Sequence, residues 1–290
     1  AWLDTVRDRG IGVNLAMFVG HGTLRKLTGI GQNPDPSSDQ LQPMLAMLDK
    51  ALDYCFGLST GLEYNPGLHA SEAELVALSK VVGKHSRLVM SHMRNEDDDQ
   101  LETSIDELLN QGEYARVHIA HLKSVYGKGR ARAEELLRKL DQARQAGIAI
   151  TADVYPYVAS YTGLSLLFPV WAKTTEDFTI AKRDRRADLE AYLVKRIARR
   201  NGPAATLLGT DPYTGKTLAD LEVELGLTFE DILIDVIGPQ GASGAYFIMD
   251  DALQSRLLED SNIAVSSDGS PTGFHPRGHG TFAKIIEEYV

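Results

Sequence analysis

The residues of this chain best suited to chemistry stand at the ends of short apolar runs. In VHIAHLKS, residues 117–124, two histidines lie three positions apart beside a lysine. On a helix, His118 and His121 would share a face and could grip one ion together; on a strand they would point to opposite sides. Gly112 closes the segment before and Gly127 the segment after, leaving room for a strand and too little for a helix. Alternation then puts Val117, Ile119, His121 and Lys123 on one face and turns His118 toward a flanking helix layer. RLVMSHMRNE repeats the form, with Leu88, Met90 and His92 on one face and His92 at the carboxyl end. Either histidine alone reads as a satisfied core residue. Two at equivalent strand ends, one β-α unit apart, are what a shared Zn²⁺ needs, because imidazole suits zinc and neighbouring strands can converge on one ion.

IAVSSDGSP places Asp268 on the face of Ala264 and Ser266. Asp-Gly is also a common turn pair, but with two inward histidines a carboxylate on a later strand supplies the base of metal-assisted hydrolysis, taking a proton from water and returning it to a leaving amine. FHPRGHGTF follows, a loop stiffened by Pro271 and Pro276, with His275, Arg277 and His279. Arg277 there suits a carboxylate clamp through its planar fork of donors. DVYPY sets Asp153, Tyr155 and Tyr157 on one parity; with Lys123 they read as core polar groups or as a lining for an anionic substrate. Cys55 begins the run CFGLSTGLEY, far from its active end at Tyr64, and reads as a small buried hydrophobe.

These strand ends imply the elements that hold them. Apolar β-rich runs alternate with helical patterns: ASEAELVALSKVVGK opens on the capping-box pair Ser71 and Glu74, QLETSIDELLNQG follows the first histidine strand, and RARAEELLRKLDQARQAG follows the second. Repeated β-α units with buried parallel strands are an α/β pattern, and their regular spacing favours a (β/α)8 barrel with its active site at the carboxyl ends of the strands. Between Tyr155 and Asp268 the spacing breaks, and residues 162–245 read as a largely helical, lid-like insertion before the last barrel strand.

With 43% hydrophobic and 24% charged residues over 290 positions, the composition is that of a globular protein with a sizeable core. A formal charge of -10 argues against nucleic acid and anionic membrane surfaces as partners, leaving a small molecule. No apolar run approaches the roughly 20 residues that span a bilayer. The single cysteine excludes an internal disulfide framework and fits the cytoplasm or the periplasm. The first residues lack the pattern of a signal peptide, and the last, KIIEEYV, stop inside an amphipathic helix, so both ends look cut.

Taken in order, VGHGTLR, FGLSTGLEYNPG, SHMRNE, AHLKS, DVYPY, SSDG and HPRGHGTF resemble the N-acyl-D-amino-acid deacylases, the D-aminoacylase branch of the amidohydrolase superfamily. The resemblance implies a partial (β/α)8 TIM barrel, strands three to eight over residues 1–290, lacking the first two strands and the small β-domain of such proteins. It further implies zinc on His92 and His121, Asp268 as the catalytic residue, Lys123, Tyr155 and Arg277 on the substrate carboxylate, and Tyr64 lining the pocket. His279 and Ala283-Lys284 depart from the family pattern, and Cys55 does not match its metal-binding cysteine. The expected reaction is hydrolysis of the linear amide of an N-acyl-D-amino acid. The rivals are a cyclic amidase of hydantoinase or dihydroorotase type, opposed by the lack of a lysine in FGLSTGLEY, and an inactive fragment or binding module.

Overall fold

The computed structural model describes residues 2–270 and 273–290, so Pro271 lies outside the described residues. One sheet holds strands β1 (Phe18–Gly20), β2 (Gly57–Gly61), β3 (Leu88–His92), β4 (Arg116–Ile119), β5 (Ile150–Val154) and, after a long interval, β9 (Ile263–Val265), in the order β1-β2-β3-β4-β5-β9. The interval contains β6 (Ala159–Gly163), β7 (Thr206–Leu208) and β8 (Ser243–Phe247), which form a separate antiparallel sheet ordered β6-β8-β7. The described residues divide into two compact units, one holding the chain up to His92 with Glu107–His118, the other Met93–Asp106 with Ile119–Val290.

In the first unit β1, β2 and β3 pair in parallel, with Gly57 opposite Leu88 and Gly61 opposite His92. Gly57 is required by that approach, since a Cβ there would lie 1.9 Å from the Leu88 carbonyl oxygen. The helix Glu72–Lys84 buries Leu75, Leu78, Val81 and Val82, the spacing of one apolar face. Its cap is half of the expected box: Ser71 Oγ accepts from the Glu74 amide, but the Glu74 side chain is drawn away to Arg25 Nη1 at 2.7 Å and His21 Nε2 at 2.7 Å. All three side chains are fully buried. Cys55 lies in the bend before β2 rather than in the strand, and it is half-buried. The strand expected to seat it begins only at Gly57.

In the second unit the helix Gly129–Gln145 buries Ala133, Leu136, Leu137, Leu140 and Ala143, again one face. β5 pairs in parallel with β9, setting Asp153 opposite Ala264. The interval between β5 and β9 is helical over Thr175–Asp184, Arg186–Arg199 and Leu218–Leu225, but it also carries the antiparallel sheet, with β8 as its central strand. A core of its own, including Phe168, Leu189, Leu193, Ile197, Leu233 and Tyr246, lies beneath that sheet. No described helix is long and apolar enough to cross a membrane.

Candidate active site

The predicted residues fall at or just beyond the carboxyl ends of the parallel strands, as a barrel site requires: His92 ends β3, His121 follows β4 by two positions, Tyr155 follows β5 by one, and Asp268 follows β9 by three. Strand alternation, however, does not carry His121 or Asp268 to its place. β4 stops at Ile119, and the chain turns through Ala120 and His121 with His121 at φ +41°; Asp268 likewise leaves β9 behind and sits at φ +44°. Parity arguments expire where the pleat does. A hydrogen bond replaces the pleat, since the His121 amide donates to Asp153 Oδ1 at 2.7 Å and the Leu122 amide to the Asp153 carbonyl at 2.7 Å. Ser266 Oγ donates to the same Oδ1 at 2.5 Å, so Asp153 ties the turn after β4 to the segment after β9.

Five of the predicted residues meet inside the second unit. Lys123 Nζ donates to Glu96 Oε1 at 2.8 Å and to His121 Nδ1 at 2.6 Å, bridging two acceptors that lie 3.2 Å apart. The ammonium lies 5.7 Å from the centre of the Tyr155 ring, and the Arg277 guanidinium lies 4.9 Å from the same centre. Arg277 Nη1 pairs with Asp268 Oδ2 at 2.8 Å, while Nη2 donates to the Tyr161 carbonyl at 3.1 Å. Burial alone would lower the Lys123 pKa, but Glu96 above all, then Tyr155, raises it above the usual lysine value. Burial lifts the Tyr155 phenol, against the pull of Lys123 and Arg277. Its Oη is buried without a hydrogen-bond partner among the described residues, a donor held ready in a charged surrounding.

Arg277 is not in a loop. It opens the helix Arg277–Tyr289, directly after Pro276, whose fixed φ suits a helix start. His275 pins the entry: its Nε2–H donates to the Ala159 carbonyl at 3.0 Å and its Nδ1 accepts from the Arg277 amide at 3.0 Å, which fixes the neutral Nε2–H tautomer. Burial first, then the Arg277 charge, push its pKa down to about 4. Tyr155, Tyr157 and Tyr161 surround the ring edge-on.

Within the first unit the ring centres of His92 and Tyr64 lie 4.7 Å apart, and His92 Nε2 lies 3.1 Å from Glu63 Oε2. His118 remains half-buried in β4 between the buried Val117 and Ile119. Sequence reasoning passed over Glu96 and Asp153's role. Glu96 stands in the acidic stretch NEDDD, where nothing in the pattern separates a buried carboxylate from solvated ones. The same holds for the buried His21, Glu74 and Arg25 set.

No protein-family profile matches the chain. It is 30% identical over 283 residues to N-acyl-D-glutamate deacylase of Alcaligenes xylosoxydans xylosoxydans, covering 96% of this chain and 52% of that one. It is 27% identical to the D-aminoacylase of the same organism, covering all of this chain and 54% of the relative. Among solved structures, N-acyl-D-glutamate deacylase from Bordetella bronchiseptica, complexed with zinc and a phosphonate mimic of the tetrahedral intermediate, superposes with a TM-score of 0.79 at 27% identity, over 99% of this chain and 55% of that one. A D-aminoacylase described as defining a novel subset of amidohydrolases superposes at 0.77, also with 27% identity, over 98% of this chain and 54% of that one. The chain thus spans about half the length of the relatives it matches, and the parallel strands are part of a TIM barrel of amidohydrolase type. Along nearly its whole length the chain is therefore similar to N-acyl-D-amino-acid deacylases of amidohydrolase type.

Proposed function

We propose that this chain carries much of the active site of a zinc-dependent hydrolase that cleaves the linear amide of N-acyl-D-amino acids. One observation carries the reading: His121, Glu96, Lys123, Tyr155, Arg277 and Asp268 form a single linked cluster at the carboxyl ends of barrel strands. The donor chemistry fits a divalent ion. An imidazole and a carboxylate, both buried, turn lone pairs toward one cation, the Lys123 ammonium. His121 and His92, at the ends of neighbouring strands, would hold the zinc, with Glu96 as a further donor of suitable type. When bound, zinc would polarise the acyl carbonyl and acidify water.

The remaining work falls to side chains. Asp268 is the proposed base, oriented by its pairing with Arg277. Arg277, Tyr155 and Lys123 would hold the α-carboxylate, with Tyr155 Oη free to donate, and Tyr64 would line the pocket. Residues 162–245 would act as a lid-like insertion, entered directly after Tyr161, whose carbonyl holds Arg277.

The test uses the full-length protein loaded with zinc. Asp268→Asn is nearly isosteric, so it should keep zinc and fold while losing roughly 10² to 10⁴ in rate on an N-acetyl-D-amino acid. His121→Ala should lose tight zinc, whereas His118→Ala should retain it. Near-normal turnover of Asp268→Asn, or unchanged zinc in His121→Ala, would end this assignment.

A further inference from the structure

The two faces of the antiparallel sheet have different surroundings. Tyr246 and Leu208 belong to the core beneath it. Side chains alternate along a strand, so the opposite face carries Ala159 and Tyr161 from β6, Ala245 and Phe247 from β8, and Leu207 from β7. These are cross-strand neighbours, Tyr161 opposite Ala245 and Ala245 opposite Leu207, with Ala159 opposite Phe247. An antiparallel sheet with one open face ordinarily shows polar residues there. This one shows apolar residues, and Phe247 is 45% exposed. The face lines a cavity of about 400 Å³ whose other lining includes Tyr157, Phe274, His275 and Pro276.

A second cavity, of about 470 Å³, holds Asp268 and Arg277 and shares Tyr161, Gly209 and Phe274 with the first. Its far wall is hydroxylated: Tyr161 Oη lies 2.8 Å from Ser243 Oγ, and Ser243 Oγ lies 3.1 Å from Thr210 Oγ1. Gly209 keeps the shared wall thin, since a Cβ there would lie 2.5 Å from Tyr161 Oη. Among the described residues, Arg277 is the one cation lining either cavity, and it is already engaged by Asp268 and the Tyr161 carbonyl. Lys284 stacks on the Tyr157 ring at 5.1 Å and pairs with Glu288 without lining either cavity. Asp211 adds a second acid to the polar cavity.

If Arg277 holds the α-carboxylate, the group nearest to it is the α-carbon with its side chain, while the acyl group lies beyond the scissile bond. His275 and Pro276, immediately before Arg277, line the apolar cavity. Resting on the deacylase reading above, we infer that the apolar cavity receives the amino-acid side chain and that the substrates are N-acyl derivatives of apolar D-amino acids rather than acidic ones. A side-chain carboxylate would find no uncommitted cation there and would face Asp211. The inference runs against the relative that is 30% identical, which deacylates D-glutamate derivatives.

The experiment compares N-acetyl-D-leucine, N-acetyl-D-glutamate and N-acetyl-D-alanine as substrates of the zinc-loaded full-length protein and of Leu207→Arg. Wild type should favour the leucine over the glutamate derivative by about 10²-fold in kcat/KM, and Leu207→Arg should compress or invert that ratio. Equal or better use of the glutamate derivative by wild type overturns the inference while leaving the deacylase reading intact. Failure to turn over all three, alanine included, sinks the deacylase reading. Calorimetric binding then decides the cavity separately: tighter binding of the leucine derivative, weakened in Leu207→Arg, supports it, and absence of any preference overturns it. Should Leu207→Arg fail to fold, the wild-type ratio decides alone.

Discussion

Arg277→Lys separates two roles that the structure gives to one guanidinium. The side chain pairs with Asp268, donates to the Tyr161 carbonyl and lies over Tyr155; on the proposed reading it also grips the substrate carboxylate. Lysine keeps the charge but has one point of attachment where arginine has a fork. Losing the bond to the Tyr161 carbonyl costs about 0.5–1.5 kcal/mol, a factor of roughly 2 to 12, on every substrate. Losing one charge-assisted hydrogen bond to the carboxylate costs a further ~1.5–3 kcal/mol, about 10- to 150-fold, on substrates that carry it. The assay is kcat/KM for an N-acetyl-D-amino acid, its L enantiomer and its descarboxy analogue, in wild type and variant. The small common loss should appear on the descarboxy analogue and the larger one on the D substrate. Equal losses on all three would show that Arg277 supports the helix start and Asp268 without reading the substrate.

Two further outcomes follow from buried groups. Glu74→Gln leaves Arg25 fully buried without its counter-charge, which should cost about 3–5 kcal/mol and lower Tm by about 10 °C; a thermal melt within about 2 °C of wild type would show that the Arg25 contacts to the Gly31 and Asn33 carbonyls suffice. His275 has a folded-state pKa of about 4 against an ordinary 6.5, so the unfolded chain binds the extra proton first. Its contribution, on the order of 2–3 kcal/mol, is complete above about pH 6.5 and fades as pH falls toward 4; Tm measured across that window should fall less steeply in His275→Gln, and parallel slopes would refute the linkage.

What the sequence made legible was whatever repeats. Leu88, Met90 and His92 alternate, the helix faces recur, and the parallel strands with their crossovers follow from that period. The insertion was legible as an interruption but not as a sheet, because β6 and β7 read ASYTG and TLL, too short or too polar to signal strands alone. Glu96 and Asp153 were hidden for a different reason. Their importance lies in partners 27 and 32 residues away, and no local pattern distinguishes an acid that meets Lys123 or the His121 amide from one that meets water.

The two residues with the strongest chemical claims share a backbone peculiarity. His121 and Asp268 both adopt positive φ, at +41° and +44°, where a side-chain-bearing residue is disfavoured by about 1 kcal/mol or more. A strand end would place each side chain without that cost, but only perpendicular to the sheet. Turning through the left-handed region re-aims His121 toward Glu96 and Lys123, and Asp268 toward Arg277. The conformation survives because other contacts over-determine it: Asp153 holds the His121 amide and Ser266, and Arg277, itself pinned by His275, holds the Asp268 carboxylate. Asp153 is therefore a positioning residue for His121 and for the segment that leads to Asp268; its carboxylate, rather than the strand pleat, sets the turn at the candidate ligand, and Arg277 sets the direction of the candidate base.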